Sequence, residues 1–528
     1  MRYRRSSLRF VICLVLLVIP GYAAPRKSLT ARIAAILSDE DLGHGFWGIE
    51  IDSLTTGKTL YLQNADRLFT PASNTKLFTT AAALALIGPD YKFKTTVETN
   101  GTLDKYGRLS GDLMLVGHGD PNLSGRELPY ELHTQRNDHP IKVVEDLADA
   151  LSQKGVKYVD GDLIADDSYF AFERYGEGWS QDDLVWGDGA PVSALAVNDN
   201  VVFVNILPAD RPGERAFVNI VPFAEYYRVD NRVVTTPAGT ARRIFFDREP
   251  GSTVLTLWGE MPVDDKGETE ALAIEDSAAF AAQLFNSLLE KRGITVYGRE
   301  RARHTELASL STFSVTASAH LAEPQDRGGE GGTTSRPLPN QTLVLASYES
   351  KPLIEDVRVI NKVSQNLHAE ILLRLLGREK GTSGTVASGL EVEHGFLNQA
   401  GVPQDQYVFY DGSGLSRQNL VSPHAVVKLL QYIAKQPWGE QFRGTLPVAG
   451  VDGSLADRFK GSTAQGRVYA KTGSLGGVKA LSGYATTNRG DSVVFSILTN
   501  NLTAPSKKVT DAMDQIVETF VEDDRTRK

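Results

Sequence analysis

Residues 70–88, Thr-Pro-Ala-Ser-Asn-Thr-Lys-Leu-Phe-Thr-Thr-Ala-Ala-Ala-Leu-Ala-Leu-Ile-Gly, constrain this chain more than any other stretch. The run reads as one helix: Pro71 suits a first turn, the Ala/Leu segment propagates it, and Gly88-Pro89 ends it. Ser73 and Lys76 stand three apart at its mouth, so a helix stacks them on one face. A free serine is a weak nucleophile, but an amine held beside it with a depressed pKa can take its proton. The start of a helix adds unpaired N–H groups and a partial positive charge where an oxyanion would form. On its own, Ser-x-x-Lys arises about twice by chance in a chain of this length. Its partners must come from elsewhere in the sequence.

The chain has 528 residues, too many for one core, so two or three domains are expected. Its first residues have the form of a secretory signal peptide, residues 1–23. Arg2, Arg4, Arg5 and Arg9 precede an apolar run over 10–19, and small residues stand before a cut after Ala23. The run is short for a membrane span, and an uncleaved N-terminal anchor is the rival reading. Cys13, the only cysteine, lies inside it, so the mature protein would have neither a disulfide nor a thiolate ligand. An exported protein of that kind fits the periplasm or a secreted place in a bacterial envelope. Loss of the four arginines takes the formal charge from −9 to −13, and no compact Lys/Arg stripe remains. That argues against nucleic acid as a partner. The C-terminal stretch 506–521 reads as a helix with a charged tail, with too little apolar length for a stable membrane anchor.

Helical periodicity marks 29–38, and residues 46–52 and 58–63 flank a Thr-Thr-Gly turn as a hairpin. From residue 92 strands and turns dominate, with helices expected at 141–154 and 277–293 and a mostly strand-like stretch over 201–259. Residues 324–337 are rich in Gly and Pro and read as a loop or linker. Helices follow at 354–362, 366–376 and 423–434, then strands at 467–472, 478–485 and 493–498. With the N-terminal hairpin, these last strands form one antiparallel sheet covered by helices. The expected fold is therefore α+β and multidomain. Residues 24–92 and 341–528 make one domain, and 93–340 are a large, mostly β insertion of one or two accessory domains.

Two more motifs follow Ser73 and Lys76 in chain order. Ser364-Gln365-Asn366 opens a helix, and Lys471-Thr472-Gly473, the only Lys-Thr-Gly here, closes a strand. Each alone has an ordinary explanation, as a helix cap or a turn. Together and in this order they match the S-x-x-K, S-D-N and K-T-G set of penicillin-binding proteins and class A β-lactamases.

The chain resembles the class C low-molecular-mass penicillin-binding proteins, the D-alanyl-D-alanine carboxypeptidase/endopeptidase family. Beyond the motifs, the likeness rests on Gly117-His-Gly-Asp-Pro-Asn-Leu, Gly161-Asp-Leu-Ile-Ala-Asp-Asp-Ser-Tyr-Phe, Pro191-Val-Ser-Ala-Leu, Asp411-Gly-Ser-Gly-Leu-Ser-Arg and Pro447-Val-Ala-Gly-Val-Asp-Gly-Ser-Leu. The long insertion between the first two motifs is itself a mark of that family. The resemblance implies a transpeptidase-like domain acting on peptidoglycan stem peptides and acylated by β-lactams. It implies Ser73 as nucleophile and Lys76 as general base, its neutral form favoured by burial and by the Lys471 ammonium. Ser364 would relay the proton to the departing amine and Asn366 would orient the substrate amide. Lys471 and Thr472 would receive the terminal carboxylate, with Gly473 allowing close approach. The N–H groups of Ser73 and Ser474 would form the oxyanion hole. Arg417 would shape the pocket or pair with a nearby carboxylate. Asp166 and Asp167 stand where the family holds the free amine of the third stem residue, with a turn or capping duty as the alternative.

Gln365 departs from the aspartate of the generic motif. No E-x-x-L-N follows Ser364, so fast penicillin hydrolysis is not expected. The nine histidines show no metal-binding spacing, and no cofactor motif is present. A β-lactamase or esterase using the same serine, or a non-catalytic wall-binding or penicillin-sensing protein, are the competing functions.

Overall fold

The computed structural model describes residues 28–126, 139–310 and 342–522. The proposed signal peptide, the Gly/Pro-rich stretch 324–337 and the charged tail beyond 522 lie outside them. The N-terminal hairpin and the last three strands form one five-stranded antiparallel sheet. Its order is Val468–Leu475, Val478–Thr486, Ser492–Asn500, Phe46–Ser53, Thr59–Gln63. Alternate side chains of a strand face opposite ways, and here both faces are covered. Leu481, Phe495 and Ile497 pack under the helices Leu29–Leu37 and Ser506–Val521, on Ile33, Met513 and Phe520. Ala480, Tyr484, Val494 and Leu498 face the other way, onto Phe78, Leu372, Val426 and Leu430. Hence the three central strands are buried at nearly every position.

Within the second layer, the helix Lys76–Leu86 is buried along almost its whole length. It is packed by the helices Leu353–Val363, Asn366–Lys380 and Val386–Gln399. The expected single helix from Pro71 is two pieces. Ala72–Thr75 form a 3₁₀ turn, and the α-helix begins at Lys76. Ala72 sits at φ +48°, a conformation that bends the chain ahead of Ser73. Helix Val386–Gln399 has no counterpart in the sequence reading, because Gly389 and Gly395 weaken its helical signal. Gly389 is there for contact: a Cβ would lie 2.2 Å from the Leu373 carbonyl of the neighbouring helix.

The inserted stretch carries its own mixed five-stranded sheet, in the order Glu300–Thr305, Leu163–Ala171, Leu113–Gly117, Lys94–Thr99, Leu343–Glu349. Helices Lys142–Gln153 and Ser277–Glu290 pack on it, and two three-stranded sheets account for most of the strand-like region after residue 200. The boundary expected at 341 needs correction, since Leu343–Glu349 is a strand of the inserted sheet. It pairs antiparallel with Lys94–Thr99, placing Lys94 opposite Glu349. The chain thus leaves and re-enters the peptidase-like domain side by side, and Phe93 and Ser350 tie the two crossings with hydrogen bonds of 2.9 and 3.0 Å.

Phe170, at the end of an inserted strand, belongs to the core of the other domain. Its ring lies between Gly119 and Gly384, where a Cβ would come within 2.6 and 2.8 Å of it. Phe170→Ala is expected to destabilise the protein by about 3–5 kcal/mol in urea unfolding. A loss under about 1 kcal/mol would mean that this ring does not join the two bodies.

Candidate active site

The three motifs converge from three elements. Ser73 is on the 3₁₀ turn, Lys76 opens the long helix, and Ser364 ends the helix Leu353–Val363 with φ +63°. Asn366 starts the next helix, and Lys471 to Ser474 lie on the exposed-edge strand of the main sheet. That strand runs through the Lys-Thr-Gly motif rather than stopping at it. A Cβ on Gly473 would lie 2.7 Å from the Pro71 carbonyl and 3.2 Å from the Ala72 methyl, so glycine lets the strand meet the serine turn. Gly414, at φ +82°, closes the other side: a Cβ there would be 1.9 Å from the Ala72 carbonyl.

Lys76 is fully buried, and its ammonium has three acceptors: Ser73 Oγ at 2.9 Å, Asn366 Oδ1 at 2.6 Å and the Ser413 carbonyl at 2.6 Å. Lys471 is equally buried and donates to Ser364 Oγ at 2.8 Å and to the Thr472 carbonyl at 3.0 Å. Each serine hydroxyl thus has its own lysine. Burial pulls the Lys76 pKa down to about 8, against the carboxylates of Asp411, Glu370 and Asp188, which favour its charge. Lys471 is held well below its ordinary range by burial and then by repulsion from Lys76. In both lysines burial is the largest cause of the shift.

Supports surround this quartet. Asn74 donates to the Lys471 carbonyl at 3.1 Å, and Ser454 and Thr472 share a hydroxyl contact of 2.7 Å. Glu370 accepts the N–H groups of Gly412 and Ser413 at 3.0 and 2.8 Å, fixing the carbonyl that holds Lys76, and pairs with Arg374 at 3.1 Å. Asp411 pins its own turn, taking the N–H groups of Gly414 and Ser416 and the Trp179 indole at 2.9 Å. Arg417 is exposed and reaches across to the Gly476 carbonyl at 3.2 Å, with its charge acting on Asp183.

Asp166 and Asp167 do not join this group. Both are buried in the inserted sheet and already engaged: Asp166 with Arg303 at 3.0 Å, Asp167 with His304 at 2.7 Å and Ser193 at 2.8 Å. Against the penalty of burial, Asp167 and Asp276 raise His304 to about 10, so it stands as a cation between two carboxylates. Carboxylates near the motifs come instead from the loop after that strand. Asp188 offers its backbone carbonyl to Asn366 Nδ2 at 2.9 Å, and Asp183 lies by Arg417. The sequence reading missed Asp188, Asp183, Trp179 and Glu370. Only Glu370 left a trace, since Asn366, Glu370 and Arg374 recur every fourth residue on a stretch, 366–377, that is otherwise apolar but for His368. Among the described residues, no cluster of three or more His, Cys, Asp or Glu side chains could hold a metal. Nor is any described helix long and apolar enough to cross a membrane.

Residues 29–324 and 329–520 match the D-Ala-D-Ala carboxypeptidase 3 (S13) family, and the chain belongs to that family. It is 35% identical over 489 residues to the D-alanyl-D-alanine carboxypeptidase of Actinomadura sp. (strain R39), covering 90% of this chain and 82% of that one. It is 28% identical over 437 residues to a D-alanyl-D-alanine carboxypeptidase of Haemophilus influenzae, covering 82% and 80%. The fold is shared with the crystal structure of penicillin binding protein 4 from Haemophilus influenzae: TM-score 0.74, 24% identity, 92% of this chain and 97% of that one.

Lysine-labelled NMR titration should find the Lys76 amine titrating near pH 8. Asp188→Asn removes a charge that favours the ammonium, so the midpoint should move to lower pH. A midpoint in the ordinary lysine range near about 10.4 would contradict the role given to burial.

Proposed function

We propose that this chain is an exported serine D,D-peptidase that acts on peptidoglycan stem peptides. It would remove the terminal residue of D-Ala-D-Ala ends as a carboxypeptidase and cut D,D cross-links as an endopeptidase. The observation that carries the reading is the pairing of Ser73 with Lys76 and of Ser364 with Lys471 in one buried cluster. Family membership gives the substrate class.

In the proposed reaction neutral Lys76 takes the Ser73 proton as Oγ attacks the carbonyl of the penultimate D-alanine. The backbone N–H groups of Ser73 and Ser474 receive the developing oxyanion. The peptide C–N bond then breaks as Ser364, held by Lys471, passes its proton to the leaving amine and takes back the one Lys76 carries, leaving Lys76 neutral. Asn366 orients the substrate amide while Thr472 and Lys471 meet the terminal carboxylate, with Gly473 giving room for the approach. Water then attacks the acyl-serine, returning Ser73 and freeing the shortened peptide. A β-lactam would acylate the same serine by opening its ring, and no departing fragment would leave the site. Arg417 spans the cleft beside Ser474, where it would shape the pocket for the stem peptide. Export through residues 1–23, to the periplasm or outside the cell, fits a substrate made outside the cytoplasm.

The test is D-alanine release from a pentapeptide ending in D-Ala-D-Ala, together with cleavage of a D,D-cross-linked peptide dimer. The parent should act on both, Ser73→Ala on neither, and Lys76→Met should lose roughly 10²–10⁴-fold in rate. Undiminished release by Ser73→Ala, or none by the folded parent, would overturn the proposal.

A further inference from the structure

A buried turn of the inserted region touches the second motif. Asn198, Asp199 and Asn200 are three successive residues with left-handed φ of +54°, +54° and +53°. All three are buried. Asn and Asp tolerate that region better than other non-glycine residues, and three in a row persist only where neighbours fix them. The neighbours are on hand. Asn198 Nδ2 donates to the Val201 carbonyl at 2.7 Å and Asn200 Nδ2 to that of Pro191 at 2.8 Å, while the Asn200 carbonyl accepts the Ile274 N–H at 2.9 Å.

The turn aims one carboxylate. Asp199 Oδ2 accepts Gln365 Nε2 at 3.0 Å and Arg126 Nη2 and Nε at 2.8 and 3.2 Å. Its Oδ1 accepts Ser124 Oγ at 2.8 Å and lies 3.4 Å from His368 Nε2. Gln365 is held at its other end too, where Oε1 accepts the Leu367 N–H at 3.1 Å and so caps the helix from Asn366. This amide lies between Ser364, itself left-handed at φ +63°, and Asn366. The Arg126 and Ser124 contacts stay within the inserted region, whereas those to His368 and Gln365 cross to the other body. The bond to Gln365 is the one that crosses into the motif.

We infer that Asp199 is a positioning residue. Through the Gln365 side chain, the inserted region fixes the turn that points Ser364 Oγ at Lys471 and Asn366 Oδ1 at Lys76. The inference rests on the reading of Ser364 and Asn366 given above. It also accounts for the glutamine at the middle position, whose longer amide reaches the carboxylate and caps the helix at once.

The test uses the purified full chain and its variants Gln365→Met, Asp199→Asn and the pair combined. Benzylpenicillin acylation rate, kcat and KM for D-alanine release, and Tm are measured together. Gln365→Met should fold, lower the acylation rate and kcat by roughly ten- to hundred-fold, and leave KM within about twofold, as loss of orientation does. Asp199→Asn should lose rate in the same way, and the double variant should be no slower than the slower single, since both remove one link. Acylation and kcat of Gln365→Met within about twofold of the parent would overturn the inference, as would single losses that multiply in the double. If Asp199→Asn does not fold, the Gln365→Met result decides alone. A folded parent that is never acylated overturns the functional reading and this inference with it, whereas normal acylation of both parent and Gln365→Met overturns only the inference.

Discussion

Two lysines buried to zero exposure, each against a serine hydroxyl, set the terms for everything around them. An ammonium taken out of water is penalised by several kcal/mol unless charge and hydrogen bonds return the loss. Lys76 is given three acceptors but no carboxylate in contact; Glu370 and Asp411 act on it from behind the Gly412–Gly414 turn. That distance matters. A carboxylate in direct contact would hold the proton firmly, and none at all would strip it too easily. Burial, offset in part by these carboxylates, brings the Lys76 pKa to about 8, within reach of neutral pH.

Such a cluster tolerates little slack, and the fold supplies rigidity from two directions. The edge strand with Lys471 is locked into a sheet covered on both faces, and glycine at 473 lets it touch the serine turn. The helix bearing Lys76 is packed all round by other helices. The insertion contributes as well. Its loop delivers the Asp188 carbonyl to Asn366 and the Glu173 carbonyl to Arg374, at 2.9 and 2.8 Å. A region that begins and ends in adjacent strands can be large without loosening the domain it interrupts.

The sequence showed the motifs plainly because their chemistry is local: a serine three residues from a lysine, and a Lys-Thr-Gly on a strand. The main sheet was legible from a hairpin at one end of the chain and three strands at the other. Less was visible where function depends on distant pairing. Nothing in the sequence shows that Asp166 and Asp167 pair with Arg303 and His304, over a hundred residues away. Asp188 gave no signal, since its contact with Asn366 is made by a backbone carbonyl that any residue could provide. The strand Leu343–Glu349 was assigned to the wrong body because its apolar run does not reveal which neighbour it pairs with.

The most direct test of the account is intact-mass analysis of the purified protein after brief exposure to benzylpenicillin, followed by peptide mapping of the adduct. The account predicts one penicilloyl group per chain, on Ser73, that persists on the time scale of the measurement. A modification mapped to another residue, or a folded protein that carries none and turns none over, would contradict it.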